Sequence, residues 1–263
     1  MTHPAYETVR PVLPNASVLL QANPGPMTLD GTNTWLLRGG PARGCVVVDP
    51  GEEDDAHLAA VLEAAGEVAL VLLTHGHHDH SGAAAALHEA TGASVRAADA
   101  AHCHGGAVLA DGETLEAAGI RLRVLATPGH TADSVSFALD AADDVAAVLT
   151  GDTILGRGTT VVAHPDGVLG PYLDSLQRLH GLGDVSVLPG HGPELPSVAE
   201  VAGQYLTHRA ERLEQVRGAL RELGAQASAR QIVELVYADV DQAVWWAAEL
   251  SVAAQLDYLR AGA

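Results

Sequence analysis

The run His75-Gly76-His77-His78-Asp79-His80 gathers imidazole and carboxylate donors within six residues. Both are suitable ligands for zinc or iron. Histidines at alternate positions, followed by Asp and His, can aim two pairs of donors at two neighbouring centres. A His-rich loop can also be incidental, so its setting matters. The run follows an apolar stretch, 68–73, that reads as a buried strand, and it precedes a helical pattern at about 82–91. It therefore lies on a loop at the C-terminal end of a strand, where α/β sheets tend to place ligand sites. Thr127-Pro128-Gly129-His130-Thr131, Thr150-Gly151-Asp152-Thr153 and Leu188-Pro189-Gly190-His191-Gly192 each fall at or just after an expected strand end. Alone, a histidine on a glycine turn is more often a satisfied turn residue than a ligand. Four such segments in this order point together to a metal site on one rim.

The elements that must position these donors alternate along the first three quarters of the chain. Strands are expected at 17–21, 32–38 and 44–49, between Pro/Gly/Asn turns, and a helix at 54–65 with Leu58, Val61 and Leu62 as its apolar stripe. Further strands fit 94–98, 120–126, 134–139, 145–150 and 185–188, with a helix at about 172–180. From Ser197 the pattern is helical only: 197–223, 229–236 and 242–260, with Gly224 as the stop between the first two. A boundary near Pro196 divides an interleaved α/β domain, 1–196, from a helical domain, 197–263.

Composition narrows the partners. The 263 residues are 48% hydrophobic, as expected of a globular protein, and no stretch approaches the ~20 apolar residues needed to span a bilayer. Two cysteines, Cys45 and Cys103, are too few for a disulfide framework, and with no secretory signal in the first residues a cytoplasmic protein is expected. There are 33 acidic residues against 14 basic ones, all arginine, for a net charge of −19. Two divalent cations would still leave about −15. Nucleic-acid binders normally present a basic surface, and aromatics are only 3% of this chain, so stacking platforms are scarce. RNA is disfavoured as a partner, subject to a local arginine cluster such as Arg157, Arg209 and Arg212.

The pattern H-x-H-x-D-H, then H, D and H, resembles the metallo-β-lactamase superfamily. That resemblance implies an αβ/βα four-layer sandwich with a dinuclear site at one edge. It implies that His75, His77 and His130 hold one metal, Asp79, His80 and His191 the other, and that Asp152 bridges both. Asp49, in Val48-Asp49-Pro50-Gly51, matches the family's first acidic motif and is expected to support the ligands from behind. The segments 23–34 and 151–161, with Tyr205-Leu206-Thr207-His208-Arg209, are similar to the beta-lactamase-like protein 2 branch. Members of that branch append a small winged-helix-like domain; here the β-wing is expected to be missing. Activities among its relatives include endoribonuclease and carrier-protein or thioester hydrolase.

Two zinc ions are the expected cofactors, although iron and manganese accept the same ligands. Water shared by two such cations loses a proton near neutral pH, and the bridging hydroxide can attack an electrophilic carbonyl or phosphorus. Asp79 is the expected catalytic group, orienting the nucleophile and passing a proton to the leaving group. The substrate class ranked first is a small ester or thioester, an acyl carrier included. A phosphodiester of single-stranded RNA ranks second. A β-lactam or lactone ranks lower, since zinc β-lactamases with a two-metal site usually carry Cys where Asp152 stands, and a non-enzymatic scaffold predicts lost ligands. Of the remaining features, Ser81 is expected to cap a helix and Trp245-Trp246 to pack the helical tail. His102-Cys103-His104 lacks a partner motif that would complete a metal site, and His208, Arg209 and Arg212 form either an anion clamp or an interdomain face.

Overall fold

A computed structural model of the chain describes residues 5–40, 43–141, 144–162, 164–239 and 241–261. Two sheets face one another. The first has six strands in the order β1 (Arg10–Leu13), β2 (Ala16–Leu20), β3 (Asn33–Leu37), β4 (Cys45–Val48), β5 (Val68–Leu72) and β6 (Val95–Arg96). The second runs β11 (Ser186–Pro189), β10 (Asp144–Gly151), β9 (Val135–Ala141), β8 (Ile120–Ala126) and β7 (Thr114–Ala117).

Period-2 alternation along these strands sorts side chains between two faces. Val46, Val48, Leu122, Val124, Phe137, Leu139 and Leu149 fill the space between the sheets. Their neighbours Val47, Ala138 and Val148 point outward to helices. On the first sheet those helices are α1 (Asp55–Ala65) and α3 (Ala84–Thr91), through Val61, Ala65 and Leu87. On the second, α4 (Leu169–His180) and α5 (Val198–Leu223) contribute Tyr172, Leu176, Val198 and Ala202. The result is the four-layer αβ/βα sandwich expected from the sequence.

β1 and β7 escaped the sequence reading for a shared reason. Both are short edge strands with mostly exposed or half-buried side chains, so neither carries the apolar run that marks an interior strand. The helix expected at 82–91 is two pieces, the single turn α2 (His78–Ser81) and then α3. Ser81 is not a cap: it ends α2, and its hydroxyl donates back to the Gly76 carbonyl at 3.0 Å.

Two of the C-terminal helices begin with side-chain caps. Ser197 caps α5, and Ser228 with Gln231 forms a capping box on α6 (Ala229–Val236). The expected helix at 242–260 opens as a 3-10 turn, Gln242–Val244, before α7 (Trp245–Ala261). Trp245 packs with Val216, Ile232 and Val252, whereas Trp246 is half exposed, so only the first tryptophan belongs to the tail's core. Among the described residues no strand follows β11, and no helix is long and apolar enough to cross a membrane.

Candidate metal centre

Strand direction brings the four donor segments to one edge. β8 and β9, and β9 and β10, are antiparallel, while β10 and β11 are parallel. β8, β10 and β11 therefore all point the same way, and their C-terminal ends deliver His130, Asp152 and His191 to a common rim. β4 and β5, parallel neighbours in the facing sheet, deliver Asp49 and the His75–His80 run to the same place. Glycine makes room at the closest approach. A Cβ on Gly190 would stand 2.7 Å from His80 Cε1 and 2.8 Å from Asp152 Oδ1.

All seven residues singled out from the sequence meet here. The donor atoms of His75, His77 and His130 lie within 4.8 Å of one another, as do those of Asp79, His80 and His191. His75, His80 and Asp152 form a third such group linking the two. Asp152 reaches both sides, with Oδ1 3.4 Å from His80 Nε2 and 3.5 Å from His191 Nε2, and Oδ2 3.7 Å from His130 Nε2. Asp79 Oδ2 is 3.1 Å from His191 Nε2. His78, which the spacing left out, is exposed.

The outer nitrogens of four imidazoles are each matched to an acceptor, and this fixes where their protons sit. His80 Nδ1 is 2.9 Å from Asp49 Oδ2, His130 Nδ1 is 2.6 Å from the Val161 carbonyl, and His191 Nδ1 is 3.1 Å from the Gly31 carbonyl. The Thr74 hydroxyl donates to Asp49 Oδ2 at 2.7 Å, so it accepts from His75 Nδ1 at 3.1 Å. With a single proton on Nδ1, as in the neutral imidazole that binds a metal, every one of these rings presents its Nε2 lone pair inward. Those lone pairs face other nitrogens: His80 and His191 Nε2 are 3.2 Å apart, and His77 Nδ1 lies 3.0 Å from both His75 and His130 Nε2. Asp152 Oδ1 is buried and accepts no hydrogen bond among the described residues. Convergent lone pairs around an unpartnered buried carboxylate oxygen are a donor set that divalent cations satisfy, so the residues fit the expected metals.

Electrostatics divide the site. Burial, reinforced by the neighbouring His80, holds His75 well below the usual histidine range, and burial likewise lowers His130. Burial opposes charge on His80 too, but Asp79, Asp49 and Asp152 outweigh it and push that ring well up. His191 is raised against its burial by Asp152 and Asp79. Asp79 is held at about 2, because His80 and His191 overcome the burial that would raise it. Asp152 is lowered further by the same neighbours and by His130, again against its burial. Positive charge is thus favoured most strongly on the side of the three carboxylates.

Several supporting residues were not anticipated. Thr74 ties Asp49 to His75, and its amide also donates to Asp49 Oδ1 at 2.8 Å. Its place directly before the first ligand was the available signal. Behind Asp49, Thr34 donates to the Asp49 carbonyl at 2.7 Å and meets His57 Nε2 at 2.9 Å, while His57 Nδ1 faces Glu7 at 2.7 Å. The backbone carbonyls of Gly31 and Val161 have no sequence signature. His102-Cys103-His104 forms no metal-holding group among the described residues, and His104 instead stacks on His88.

Fold and site together define a metallo-beta-lactamase-type hydrolase, and residues 27–191 match the Metallo-beta-lactamase superfamily. The chain belongs to that superfamily. Residues 228–261 match the beta-lactamase associated winged helix domain, which leaves α5 between the two matches. Among relatives, a beta-lactamase-like protein 2 homolog of Caenorhabditis elegans is 31% identical, over 88% of this chain and 79% of that protein. An atrochrysone carboxyl ACP thioesterase of Aspergillus fumigatus is 34% identical, over 81% of this chain and 69% of that one. A beta-lactamase domain protein from Burkholderia ambifaria superposes with a TM-score of 0.82 at 25% identity, over 99% of this chain and 91% of that structure.

Proposed function

We propose that this protein is a dinuclear metal-dependent hydrolase, with zinc the expected ion, that cleaves a small ester or thioester, including an acyl group borne on a carrier. His75, His77 and His130 would hold one ion, Asp79, His80 and His191 the other, with Asp152 between them. When bound, the pair supplies Lewis-acid polarisation of the scissile group and an activated water at neutral pH. The observation that carries this reading is the set of Nε2 lone pairs locked inward by acceptors on Nδ1.

The chain's own residues divide the remaining work. The Asp79 side chain keeps 20% of its surface exposed, against 9% for Asp152. Asp79 is therefore the carboxylate placed to take a proton at Oδ and return it to a departing alkoxide or thiolate. Asp152 is held from solvent and serves as a fixed negative charge between the two donor triads. Asp49 and the carbonyls of Gly31 and Val161 keep the imidazoles in one tautomer. The similarity to a thioesterase supports a thioester substrate, and the net charge of −19 weighs against RNA. We place the hydrolase unit at 1–196 and a helical, winged-helix-like unit at 197–263.

The test is metal content by elemental analysis, followed by turnover on thioester, lactone, phosphodiester and single-stranded RNA substrates at defined loading. Near two ions per chain and cleavage of the thioester are expected. Asp79→Asn should lower turnover on the order of 10²–10⁴-fold while retaining part of the metal. One ion or none, or cleavage confined to RNA with steep salt dependence, would overturn the reading.

A further inference from the structure

We propose that the cleft between the rim of the metal centre and the C-terminal helices is an anion subsite, in which Arg212 and Arg209 hold a phosphate or carboxylate carried by the acyl substrate away from its scissile bond. The proposal rests on the hydrolase reading for the identity of the ligand, but not for the existence of the site. The cleft encloses about 270 Å³, near the low end of ligand pockets and suited to a headgroup. Met27, Thr160 and Val161 line it on one side, and Arg209, Arg212 and Tyr237 on the other.

This cleft gathers two arginines that no carboxylate neutralises among the described residues. Most exposed arginines are neutralised locally: Arg10 by Glu194, Arg157 by Asp30, Arg178 by Asp111, Arg217 by Glu214 and Arg230 by Glu234. Arg209 and Arg212 have no carboxylate within 4.0 Å among the described residues. Two uncompensated guanidinium groups beside one another, in a chain of net charge −19, form a local positive patch. Arg209 is only 4% exposed, and its Nε has no hydrogen-bond partner among the described residues. That is an unsatisfied buried donor on a residue that lines the cleft.

The two arginines are held in place before any ligand arrives. Arg209 donates to the Thr160 carbonyl and lies 5.1 Å above the Tyr172 ring. Arg212 is three residues further along α5, about 4.5 Å of helical rise. Its guanidinium sits 4.5 Å over the Tyr237 ring, and its one hydrogen bond among the described residues, at 2.8 Å, goes to Gln215. Stacking fixes the plane of the fork while most of its five N–H groups stay unused, which is the arrangement that recognises a carboxylate or phosphate bidentately.

Both walls on the hydrolase side lead to the metal ligands. The Val161 carbonyl is the group at 2.6 Å from His130 Nδ1. The segment carrying Pro26 and Met27 continues to Gly31, whose carbonyl faces His191 Nδ1. A ligand anchored by its anion at Arg212 is thereby directed toward the centre. A single two-arginine pocket would not track the successive phosphates of a nucleic-acid strand, so the anion is assigned to the acyl compound.

Calorimetric titration of the full metal-loaded chain with thioether probes, which cannot be hydrolysed, tests the site apart from activity. The probes are S-methyl-4′-phosphopantetheine, neutral S-methylpantetheine and N-succinyl-S-methylcysteamine. An anionic probe should bind at least about 10-fold tighter than the neutral one, the increment of one charge-assisted contact. Preference for the phosphate or for the succinate probe identifies the source of the anion. Arg212→Gln should erase the preference without changing metal content, and Arg212→Lys should keep part of it. Equal affinity for all three probes, or a preference that survives Arg212→Gln, overturns the proposal. So does displacement of the probes by a single-stranded oligonucleotide in an Arg212-dependent way, which would assign the cleft to nucleic acid. If anions bind as expected but no thioester is cleaved, the hydrolase reading fails while the subsite stands.

Discussion

Replacing Asp49 with asparagine should weaken metal binding on the Asp79–His80–His191 side of the candidate centre without disturbing the backbone. Asp49 is almost fully buried, and its carboxylate accepts three hydrogen bonds: Thr74 N–H on Oδ1, and the Thr74 hydroxyl and His80 Nδ1–H on Oδ2. An amide of the same shape has only one oxygen. If that oxygen stays with the Thr74 amide, the new NH2 faces His80 Nδ1–H. If it turns to His80, the NH2 faces the Thr74 amide. Both orientations set donor against donor. The relief available is for His80 to move its proton to Nε2, which removes the lone pair it shares with Asp79 and His191. The backbone φ of Asp49 is +53°, a conformation asparagine adopts readily, so no strain confounds the result. Losing one charge-assisted hydrogen bond is worth about 1.5–3 kcal/mol, and an outer partner of a ligating histidine typically controls about 10–100-fold in metal affinity. Affinity at the Asp79–His80–His191 side should fall by that factor, while the His75–His77–His130 side keeps its ion. Competition with a metal-sensitive dye reads the two affinities, and long-range 15N–1H correlation reads the His80 tautomer. Two unchanged affinities, with His80 still protonated on Nδ1, would refute the reasoning.

Three further outcomes follow from the packing. Gly129→Ala should destabilise the protein by on the order of 3 kcal/mol in urea denaturation. Its φ is +137°, and the new Cβ would lie within 2.5 Å of the Tyr172 backbone nitrogen, which cannot yield without shifting α4; a neutral effect would contradict the placement. Burial pushes the Cys45 thiol up, and the side chain is fully enclosed, whereas Cys103 is partly exposed. A thiol reagent should therefore label one cysteine in the native protein and both after unfolding; two fast thiols would count against it. Burial also pushes Tyr205 up to about 12, despite its contacts with Leu155 and Arg209. Because the folded value exceeds the unfolded one near 10, its contribution of about 3 kcal/mol is complete below pH 10 and lost as pH climbs toward 12. Tyr205→Phe should remove that part of the decline, and an identical slope in both proteins would dismiss the effect.

Much of the architecture was legible because its cause is local. The alternation in 120–126 is itself the partition of Leu122 and Val124 inward between the sheets and Leu125 outward to the helices. The start of the helical pattern at Ser197 and the stop at Gly224 are local too, set by bonds to near neighbours and by a backbone angle. Edge strands carry no such signal: β1 and β7 exist because a neighbouring strand offers free backbone groups. Trp245 and Trp246 look alike in sequence, and only the orientation of α7 buries one and exposes the other.

The candidate site divides along the same line. The sequence by itself supplied the candidate donors, His75, His77, Asp79, His80, His130, Asp152 and His191, because four segments, each weak alone, place imidazoles and carboxylates after apolar strands in one recognisable order. Tertiary structure decided what those donors can do. Which nitrogen of each ring carries the proton depends on carbonyls at Gly31 and Val161 and on the Asp49 carboxylate, groups 31 to 160 residues away along the chain. Every residue has a carbonyl, so none is distinctive until folding sets it opposite an imidazole. The same holds for Arg212: its charge was visible from the start, but its seat over Tyr237, with no carboxylate partner among the described residues, arises only where α5 meets the segment after α6. Hydrogen bonds and unscreened charge act over a few ångströms, and only the packing of distant segments brings these groups that close.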